Sequence, residues 1–522
     1  MQEHSIFWGE SHDNTHTAGP PPGGMEKVLE TAASHLDFYA AAYYTSCSPA
    51  FQPDGHLSES NAKHELVLER WKDQDLLDRE WEEVQAATRD ANSPGEFVTF
   101  PGYEWQGDGS GGDHNVFAPE EGLPIFHVDT LPELYKKLQG RDAIAIPHHT
   151  AYRPGLRGRD WSVFDEELSP FSEIYSLHGC SETDEEWIGM RHNSHMGPGV
   201  GGGTYQEALD RGYRLGCICS TDNWGAMPGH YGHGTMACLA PELSREALWN
   251  AFLRRRVYGV TGDRIELDFR INGAEMGDVI TADGAREITV EAVGWDEIDR
   301  IELLRNGRVI ATHCHQGTWQ MPSPGETTHF RMRVECGWGP RPNELQLPEH
   351  HWDGKVRVKG GQMTEWHPCW VSPGQSRPVL NGPEAAFQMI NDSSTVNKRW
   401  QNSIILDFEA AVDSEISIDL NGFSDQGAVG EWAEGSHELW YRDDCVRMLE
   451  REVGIKPGSP EREDIYYFVA YIAKIHRPMP EAAYRARLEV VDEQPLEERA
   501  NYRVRVEQRN GQRAWSSPIW VE

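Results

Sequence analysis

Two features are missing from this 522-residue sequence: an apolar run long enough to cross a membrane, and an excess of basic residues. A membrane-spanning helix needs about 20 consecutive apolar residues, and no segment of the chain approaches that length. The 48 Lys and Arg residues are outnumbered by 84 Asp and Glu residues, which gives a formal net charge of -36. The short basic run at residues 254–256 lies in a pattern typical of an amphipathic helix. Because such a charge repels a phosphate backbone, we expect no nucleic-acid partner. Because no apolar run is long enough to span a bilayer, we expect no membrane protein.

Cysteine is scarce and follows no metal-binding pattern. The nine cysteines are an odd number and are scattered; Cys217 and Cys219 form C-x-C in an apolar run, not the C-x-x-C of a zinc pair. The opening MQEHSIFWGE has neither the basic segment nor the apolar core of a secretory signal. These features predict a cytoplasmic protein with reduced, buried thiols. They leave open whether it forms a homo-oligomer.

The first half of the chain alternates helix-like and strand-like segments. MEKVLETAASH precedes LDFYAAAYY, LPELYKKLQ precedes AIAIP, and TYQEALDRG precedes RLGCICS. The charged stretch at residues 59–90 predicts one or two long helices before EFVTFPGYE. Helix and strand in repeated alternation are typical of a parallel α/β barrel. We therefore predict an α/β barrel domain over residues 1–265.

The pattern changes after residue 265. Segments such as IELDFRING, REITVEAVG and RLEVVDEQ alternate apolar and polar residues with a period of two, and Asn-Gly or glycine-rich turns separate them. This is typical of antiparallel β structure. We predict a mostly antiparallel β-rich region over residues 266–522, closed by a hairpin that turns at Asn510 and Gly511. A Pro/Gly/Ser stretch, SPGQSRPVLNGP, suggests a further division near residue 375.

Metal-type side chains follow apolar runs in the first half. His12 comes after SIFWGES, Glu104 after FVTFPGY, His148 after AIAIP and Asp222 after LGCICST. With 23 histidines in the chain, any single one is more often packed or solvated than a metal ligand. The recurrence of His, Glu, His and Asp at strand ends is what favours a metal site, because barrel enzymes gather their ligands from the ends of separate strands.

Further candidate residues lie beside these four. Asn14 is two residues after His12, so on an extended chain both face the same way. His114 lies in the glycine-rich GDGSGGDHNVF, which permits close backbone approach. His149 follows His148 directly and points away from it, which favours a role beside the metal ligands. Each motif alone also fits a polar turn, a surface acid or a flexible loop.

The ordered motifs GESHDN, LDFYAAAYY, FPGYEW, GDHNVF, IPHHT and STDNW resemble the polymerase and histidinol phosphatase (PHP) superfamily. They are most similar to a bacterial branch in which the barrel precedes a β-rich region. The resemblance covers about the first half of the chain, and the closing RAWSSPIWV is similar to the end of that branch. It implies a distorted (β/α)7 barrel that binds up to three divalent ions and acts as a metal-dependent hydrolase.

The sequence departs from the family pattern at three motifs. Asn14 stands at the second His of the opening motif, Tyr43 and Tyr44 stand at an Asp-His pair, and Trp224 stands at the last His. The resemblance then implies that the third ion is lost and that two ions, zinc, manganese or iron, form a binuclear site. One ion would be bound by His12, Asn14, Glu104 and Asp222, and the other by Glu104, His114 and His148, with Glu104 as the bridge.

A water activated by the ions would attack the substrate. The remaining predicted site residues are proton donors or acceptors (His149, His178, His230), hydrogen-bond donors to an oxyanion (Tyr43, Tyr44) and substrate contacts (Arg153, Arg157, Arg159, Trp224). The two tyrosines also fit barrel packing, and the arginines a solvated basic loop.

Three functions are compatible with the sequence. The first is hydrolysis of a small phosphoric, carboxylic or carbamic ester. The second is a carbohydrate-associated enzyme whose β-rich half offers sugar-stacking faces, with Trp319, Trp338 and Trp352 as candidates. The third is a non-catalytic binding scaffold that lost its activity together with the three altered motifs. A small-molecule partner is expected in each case.

Overall fold

The computed structural model describes residues 4–17, 19–45, 72–185, 188–191, 196–224, 227–282, 284–317, 319–337, 349–391, 401–454, 456, 458, 472–496 and 499–522. Within these ranges, no helix is both long and apolar enough to cross a membrane. Residues 59–71 of the predicted helical stretch, and Trp338, lie outside the described residues. The fold is mixed α/β, with many β-sheets and few helices.

The chain forms two compact units, the first made of Met1–Val293, Asp299–Cys314 and Arg487–Glu522, and the second of Gly294–Ile298 and His315–Ala486. The first strands are β1 (Ser5–Glu10), β2 (Asn14–Thr15), β3 (Phe38–Ala40), β4 (Ala42–Tyr44), β5 (Val98–Phe100), β6 (Gly102–Trp105), β7 (His114–Phe117), β8 (Ile144–Pro147), β9 (Phe171–Ser176), β10 (Gly179–Cys180), β11 (Gly216–Cys219), β12 (Thr235–Ala240) and β13 (Val257–Val260). They are followed by β14 (Glu266–Ile271), β15 (Ala274–Glu275), β16 (Val279–Ile280), β17 (Arg286–Val293), β18 (Ile298–Arg305), β19 (Arg308–Cys314), β20 (Thr327–Cys336), β21 (His350–Lys359), β22 (Gln362–Cys369), β23 (Val379–Asn381), β24 (Glu384–Asn391), β25 (Asn402–Ala411), β26 (Glu415–Leu420), β27 (Phe423–Ala428), β28 (His437–Trp440), β29 (Ile472–Ile475), β30 (Met479–Pro480), β31 (Arg485–Asp492), β32 (Ala500–Gln508), β33 (Arg513–Ser516) and β34 (Ile519–Val521). The helices are α1 (Gly24–Ala33), α2 (Gln74–Ala91), α3 (Leu131–Leu138), α4 (Tyr205–Asp210), α5 (Arg245–Leu253), α6 (Val429–Trp432), α7 (Arg442–Met448) and α8 (Glu481–Tyr484), with a π-helical turn at Leu449–Val453.

Parallel pairing aligns the ends of several strands in the first unit. β1 is parallel to β3, and β3 is parallel to β5. Directly beyond them, β2, β4 and β6 are paired in the same parallel order. β7 is antiparallel to both β6 and β8, so β8 has the same direction as β6. β9 and β11 form another parallel pair. Parallel strands of one sheet end at the same edge, so the residues that follow them lie close together.

Helical periodicity explains how the α layer covers these strands. On α1 the buried side chains are spaced three and four residues apart, so they form one apolar face. Asp73 caps α2, where its side chain accepts a hydrogen bond of 2.8 Å from the backbone N–H of Leu76. Trp81 and Val84 of α2 pack in the same core as Tyr43 of β4. The helix predicted over residues 59–90 is thus present from Gln74 onwards.

The C-terminal strands belong to the first unit, which corrects the predicted division at residue 265. β33 pairs with β13, with Tyr258 opposite Ser516, and β32 pairs with both β33 and β34. These strands extend the sheet that contains β1. The hairpin predicted at Asn510 and Gly511 is confirmed, with Gly511 at φ 84. The break in periodicity at residue 265 therefore marks a change of pairing inside one unit.

The second unit consists mainly of two antiparallel sheets over a shared core. Their strand orders are β22-β25-β20-β29-β28 and β23-β24-β21-β26-β27. In β21 buried and exposed side chains alternate, as a period of two predicts. The unit runs through residue 375 without dividing there, because strands on both sides of that stretch contribute to the same core. Trp352 is 1% exposed and donates a hydrogen bond to Asn391, so it offers no face to a sugar.

Candidate metal centre

Four predicted ligands are buried at strand ends of the first unit. His12 and Asp222 lie two and three residues beyond the ends of β1 and β11, His148 directly follows β8, and Glu104 lies in β6. All four side chains are at most 2% exposed. Apolar strand segments fix the backbone at these positions, so polar side chains are held inside the unit rather than in solvent.

Glu104 lies between two histidines. Its Oε2 is 3.8 Å from Nε2 of His12, and its Oε1 is 3.8 Å from Nε2 of His148. The imidazole rings of the two histidines are themselves only 4.0 Å apart, measured between centroids. Gln106 donates a hydrogen bond of 2.9 Å to Oε1 of Glu104. The two carboxylate oxygens are therefore directed at different imidazoles.

The imidazole of His12 is held by carboxylates on both sides. Its Nδ1 is 2.7 Å from Oε2 of Glu173, which is a hydrogen bond. Its Nε2 is 3.3 Å from Oδ1 of Asp222. Proteins commonly orient a metal-binding histidine by a hydrogen bond from its second nitrogen to a carboxylate. Glu173 occupies that position for His12.

Many buried nitrogen and oxygen atoms of this cluster have no hydrogen-bond partner among the described residues. Buried polar atoms in folded proteins are nearly always hydrogen-bonded, so this concentration indicates that the atoms serve another ligand. They include His12 Nε2, Asn14 Oδ1, Glu104 Oε2, Asp113 Oδ1, His114 Nε2, both ring nitrogens of His148, His149 Nδ1, Glu173 Oε1 and Asp222 Oδ2. Groups whose ligand-type atoms lie within 4.8 Å of one another are His12 with Glu104 and His148, His12 with Glu173 and Asp222, and Asp113 with His148 and His149.

The electrostatics of the cluster are those of crowded carboxylates. Burial raises the pKa of Asp222 well above its usual value; His12 opposes this shift, and the neighbouring carboxylates of Glu173 and Glu104 add to it. Burial lowers the pKa of His12, but the attraction of Asp222 and Glu173 outweighs it and the pKa lies well above its usual value. Burial, followed by repulsion from His12, holds the pKa of His148 well below the usual value. A bound cation would relieve the repulsion between these carboxylates.

Part of the backbone strain among the described residues lies in or near the cluster. Positive φ angles occur at His16 (62°), His149 (36°), Arg157 (67°) and Asp222 (50°). A side chain with a Cβ rarely adopts this region, and such residues persist where surrounding contacts hold them, often at functional sites. The strained backbone directs His149 and Asp222 into the cluster.

The two remaining predicted ligands, Asn14 and His114, have different contacts with the ligand cluster. Asn14 donates a hydrogen bond of 3.2 Å from Nδ2 to Oδ1 of Asp222, which places its amide beside His12. His114 is 0% exposed, its Nδ1 is 3.0 Å from the carbonyl oxygen of Gly112, and its Nε2 is buried without a hydrogen-bond partner among the described residues. His114 is close enough to lower the pKa of His148, after burial and other positive groups.

Two of the three predicted acid–base histidines are next to the ligand cluster. Nε2 of His178 is 3.1 Å from Oδ2 of Asp222, and its Nδ1 is 2.8 Å from the hydroxyl of Tyr152. Nε2 of His149 is 3.4 Å from Oδ2 of Asp113. His230 is 2% exposed in its glycine-rich loop and is stacked on His233 at 4.0 Å between ring centroids. Its role in proton transfer stays a prediction.

The side chains of Tyr43 and Tyr44 point to opposite faces of β4, because neighbouring residues of a strand face opposite sides. Tyr43 points into the helical layer, where its hydroxyl donates a hydrogen bond of 2.8 Å to Glu80 of α2. Lys72 completes this buried group, with Nζ 2.8 Å from the same carboxylate. These contacts favour the packing role for Tyr43, and its role as a donor to an oxyanion stays a prediction. Tyr44 lies opposite Glu104 in the paired strands and stays a candidate.

The four predicted substrate contacts differ in their distance from the ligand cluster and in their exposure. Arg157 binds Oδ2 of Asp113 through Nε at 2.6 Å and lies 3.7 Å from Oε1 of Glu104. Arg159 is 0% exposed and its guanidinium donates to the backbone carbonyls of Gly111, Asp160 and Val163, so it supports the loop rather than a substrate. Arg153 is exposed, and Trp224 is 46% exposed beside Asp222.

Sequence reasoning missed three buried acids. Glu173 lies 161 residues from His12 in the chain. The sequence feature that could have identified it is a charged residue among the apolar positions of FSEIYS. Asp113 precedes His114 and pairs with Arg157. Glu10 accepts hydrogen bonds from the backbone N–H groups of Ser11 and His12 at 2.9 and 2.7 Å, so it positions the loop that carries the first ligand.

Comparison with known proteins gives relatives without assigned activities. Residues 3–150 match a family described as protein of unknown function (DUF3604). An uncharacterized protein of Chlamydia pneumoniae is 27% identical over 252 residues, which is 44% of this chain and 40% of that protein. A second, from Chlamydia muridarum, is 27% identical over 255 residues, 45% of this chain and 41% of that protein. The chain thus matches less than half the length of these relatives.

One solved structure is similar over part of the chain. It is a two-domain protein from Bacteroides vulgatus that contains a predicted PHP-like metal-dependent phosphoesterase. Its sequence identity is 10%, its TM-score is 0.33, and the match covers 58% of this chain and 79% of that one.

Proposed function

We propose that this protein is a metal-dependent hydrolase that uses two divalent ions to cleave a small ester. The observation that carries the proposal is the convergence of buried nitrogen and oxygen atoms from His12, Glu104, His148 and Asp222 without hydrogen-bond partners among the described residues. We further propose that the scaffold is a PHP-type (β/α)7 barrel, and the parallel strand pairs of the first unit support this proposal. Such convergence at strand ends is typical of barrel enzymes.

Glu104 is the proposed bridge between the ions. Its two oxygens face different histidines at 3.8 Å each, which suits one ion on either side. We assign His12, Asn14, Glu104 and Asp222 to one ion, and Glu104, His114 and His148 to the other. Imidazole nitrogen and carboxylate or amide oxygen suit zinc, manganese or iron, whereas calcium prefers oxygen alone and copper favours other geometries.

When bound, the ions would supply a water of lowered pKa as nucleophile and polarise the scissile group. The protein's own residues would position the reactants. His178 faces Asp222 at 3.1 Å, where it can hold or transfer a proton. Arg157, fixed by Asp113, can donate to an anionic oxygen of the substrate. Because the ligands are at most 3% exposed, we propose a substrate that presents a small reacting group, namely a phosphoric, carboxylic or carbamic ester.

Metal content and ester hydrolysis together test the proposal. We expect purified protein to retain about two ions of zinc, manganese or iron per chain, because the two ligand sets share one bridging carboxylate. Elemental analysis should be combined with matched aryl phosphate, carboxylate and carbamate esters, assayed before and after chelation. Less than one bound ion per chain after incubation with each metal would contradict the proposal and favour a non-catalytic scaffold.

Glu173→Gln tests the positioning of His12. The amide keeps the shape of the side chain but loses the charge that orients the imidazole at 2.7 Å. We expect metal affinity to fall about 10–100-fold, measured by competition with a chromogenic chelator. Circular dichroism of the metal-free variant establishes that the loss of affinity is measured on folded protein.

The exposed Glu167 provides the control, since it lies on the same segment and takes no part in the cluster. Glu167→Gln should keep the parental metal affinity. Equal affinity in Glu173→Gln and the parent protein would remove Glu173 from the site.

A further inference from the structure

A cavity of about 620 Å³ lies in the first unit, away from the metal-type cluster. None of the predicted metal ligands lines it. The lining comes from the loop after β10, from the beginning of α4, and from β18, β32 and β33, all of which belong to the first compact unit. Its volume is in the range of small-molecule sites, about 300–1,000 Å³.

One wall of the cavity is a sheet surface of paired charges. Arg300 is 2.8 Å from Glu507 and 3.4 Å from Glu302. Arg505 is 3.5 Å from Glu302, and Arg513 is 3.3 Å from Glu507. Each guanidinium can only donate hydrogen bonds and each carboxylate can only accept them. The wall therefore presents donors and acceptors in alternation, a few ångströms apart.

The opposite wall consists of loops that carry acceptors. A Cβ at Gly201 would be 3.6 Å from Oδ2 of Asp184 and 3.8 Å from Oε1 of Glu207, so these two carboxylates flank the glycine. Glu207 is fixed by a hydrogen bond of 2.7 Å from the N–H of Gly202. Gly201 itself has no side chain, which leaves the space between the carboxylates open.

The charged side chains that line the cavity indicate which charge and which hydrogen-bonding groups a ligand should carry. Five carboxylates and three guanidinium groups line the cavity, so its net charge is negative and an anion is disfavoured. On the sheet wall the three arginines are already paired with Glu302 and Glu507, so a charged ligand bound there would have to displace a partner. A hydroxyl group both donates and accepts, and neighbouring hydroxyls of a sugar match an adjacent Arg and Glu without breaking the pair.

We propose that this cavity binds a neutral polyhydroxylated ligand of the sugar class. The proposal is independent of the metal-dependent activity. Beneath the cavity, Glu182 is 0% exposed and accepts a hydrogen bond of 2.6 Å from the indole of Trp515, which lines the site. This buried contact fixes the sheet wall relative to the loop after β10, so the binding groups are held in place before a ligand arrives.

Binding should be measured on the full chain by saturation-transfer NMR. The probes are the methyl glycosides of glucose, galactose and mannose, with a diaminoalkane and a dicarboxylate as charged comparisons. We expect at least one glycoside to saturate the protein, with an affinity that changes little between about 50 and 500 mM salt, because a neutral ligand is not screened.

Two substitutions in the lining test whether the glycoside binds in this cavity. Gly201→Phe fills the space between the carboxylates at an exposed position with ordinary φ, where a Cβ meets only van der Waals contacts. Arg300→Gln removes donors from the sheet wall. Each should weaken glycoside binding about tenfold or more, Gly201→Phe because it occupies the space of the ligand and Arg300→Gln because it removes charged hydrogen bonds. Gly284→Phe and Arg308→Gln, at exposed positions outside the cavity, should keep the parental affinity.

The proposal is overturned by any of three results. They are failure of all three glycosides to bind, unchanged glycoside affinity in folded Gly201→Phe protein, or preferential, strongly salt-dependent binding of the diamine or dicarboxylate. Circular dichroism of each variant establishes that it is folded.

Discussion

Glu104→Gln should abolish both hydrolysis and the binding of two ions. The substitution preserves the size of the side chain but replaces one ligand oxygen by an amide nitrogen and removes a negative charge. Because the two carboxylate oxygens face His12 and His148 at equal distances of 3.8 Å, both ligand sets lose the same residue. We expect kcat/KM to fall about 1,000-fold or more, equivalent to about 4 kcal/mol on the barrier.

The measurement combines metal stoichiometry with steady-state kinetics on whichever ester the parent protein hydrolyses. Glu493→Gln, at an exposed position, should keep parental activity and two ions per chain. Full activity with two ions in Glu104→Gln would contradict the bridging assignment. Loss of activity with both ions retained would instead assign Glu104 to substrate contact or proton transfer.

The strand-end ligands could be predicted because their signal is local. His12, His148 and Asp222 each follow a short apolar run, and the chain direction of a strand places the following residue at its end. The orientation of Tyr43 was not predictable from the same pattern. Tyr43 and Tyr44 are both buried, and only the partner Glu80, on a helix 37 residues later, shows which of them faces outwards.

The contact of Glu173 and the partners of the C-terminal strands could not be predicted, because both depend on contacts between residues far apart in the chain. Glu173 lies in a strand that reads as apolar apart from one acid, and its contact with His12 is formed only when β9 and β1 belong to the same unit. The change to period-two alternation after residue 265 predicted β structure correctly but not its partners. β33 pairs with β13, where Ser516 lies opposite Tyr258, 258 residues earlier in the chain. Alternation alone carries no information about which edge of a sheet a strand joins.

The buried acid that ties these late strands to the first half provides a strong stability test. Glu182 is 0% exposed and Arg503, on β32, is 1% exposed; their side chains form an ion pair. Arg505 is 2.8 Å from the same carboxylate, and the indole of Trp515 donates to it at 2.6 Å. Removing one partner of a buried ion pair leaves an uncompensated charge, which costs about 3–5 kcal/mol.

Glu182→Ala should therefore lower the thermal unfolding midpoint of the protein by roughly 6 to 15 °C, measured by differential scanning calorimetry. Glu30→Ala serves as the control, because Glu30 pairs with Lys27 on the surface, where its side chain is 68% exposed. A surface pair contributes about 0–1 kcal/mol, so this variant should melt close to the parent. The double variant Glu182→Met with Arg503→Met removes both buried charges and should recover part of the loss. A midpoint in Glu182→Ala equal to that of Glu30→Ala would mean that this buried ion pair stabilises the C-terminal strands no more than a surface pair does.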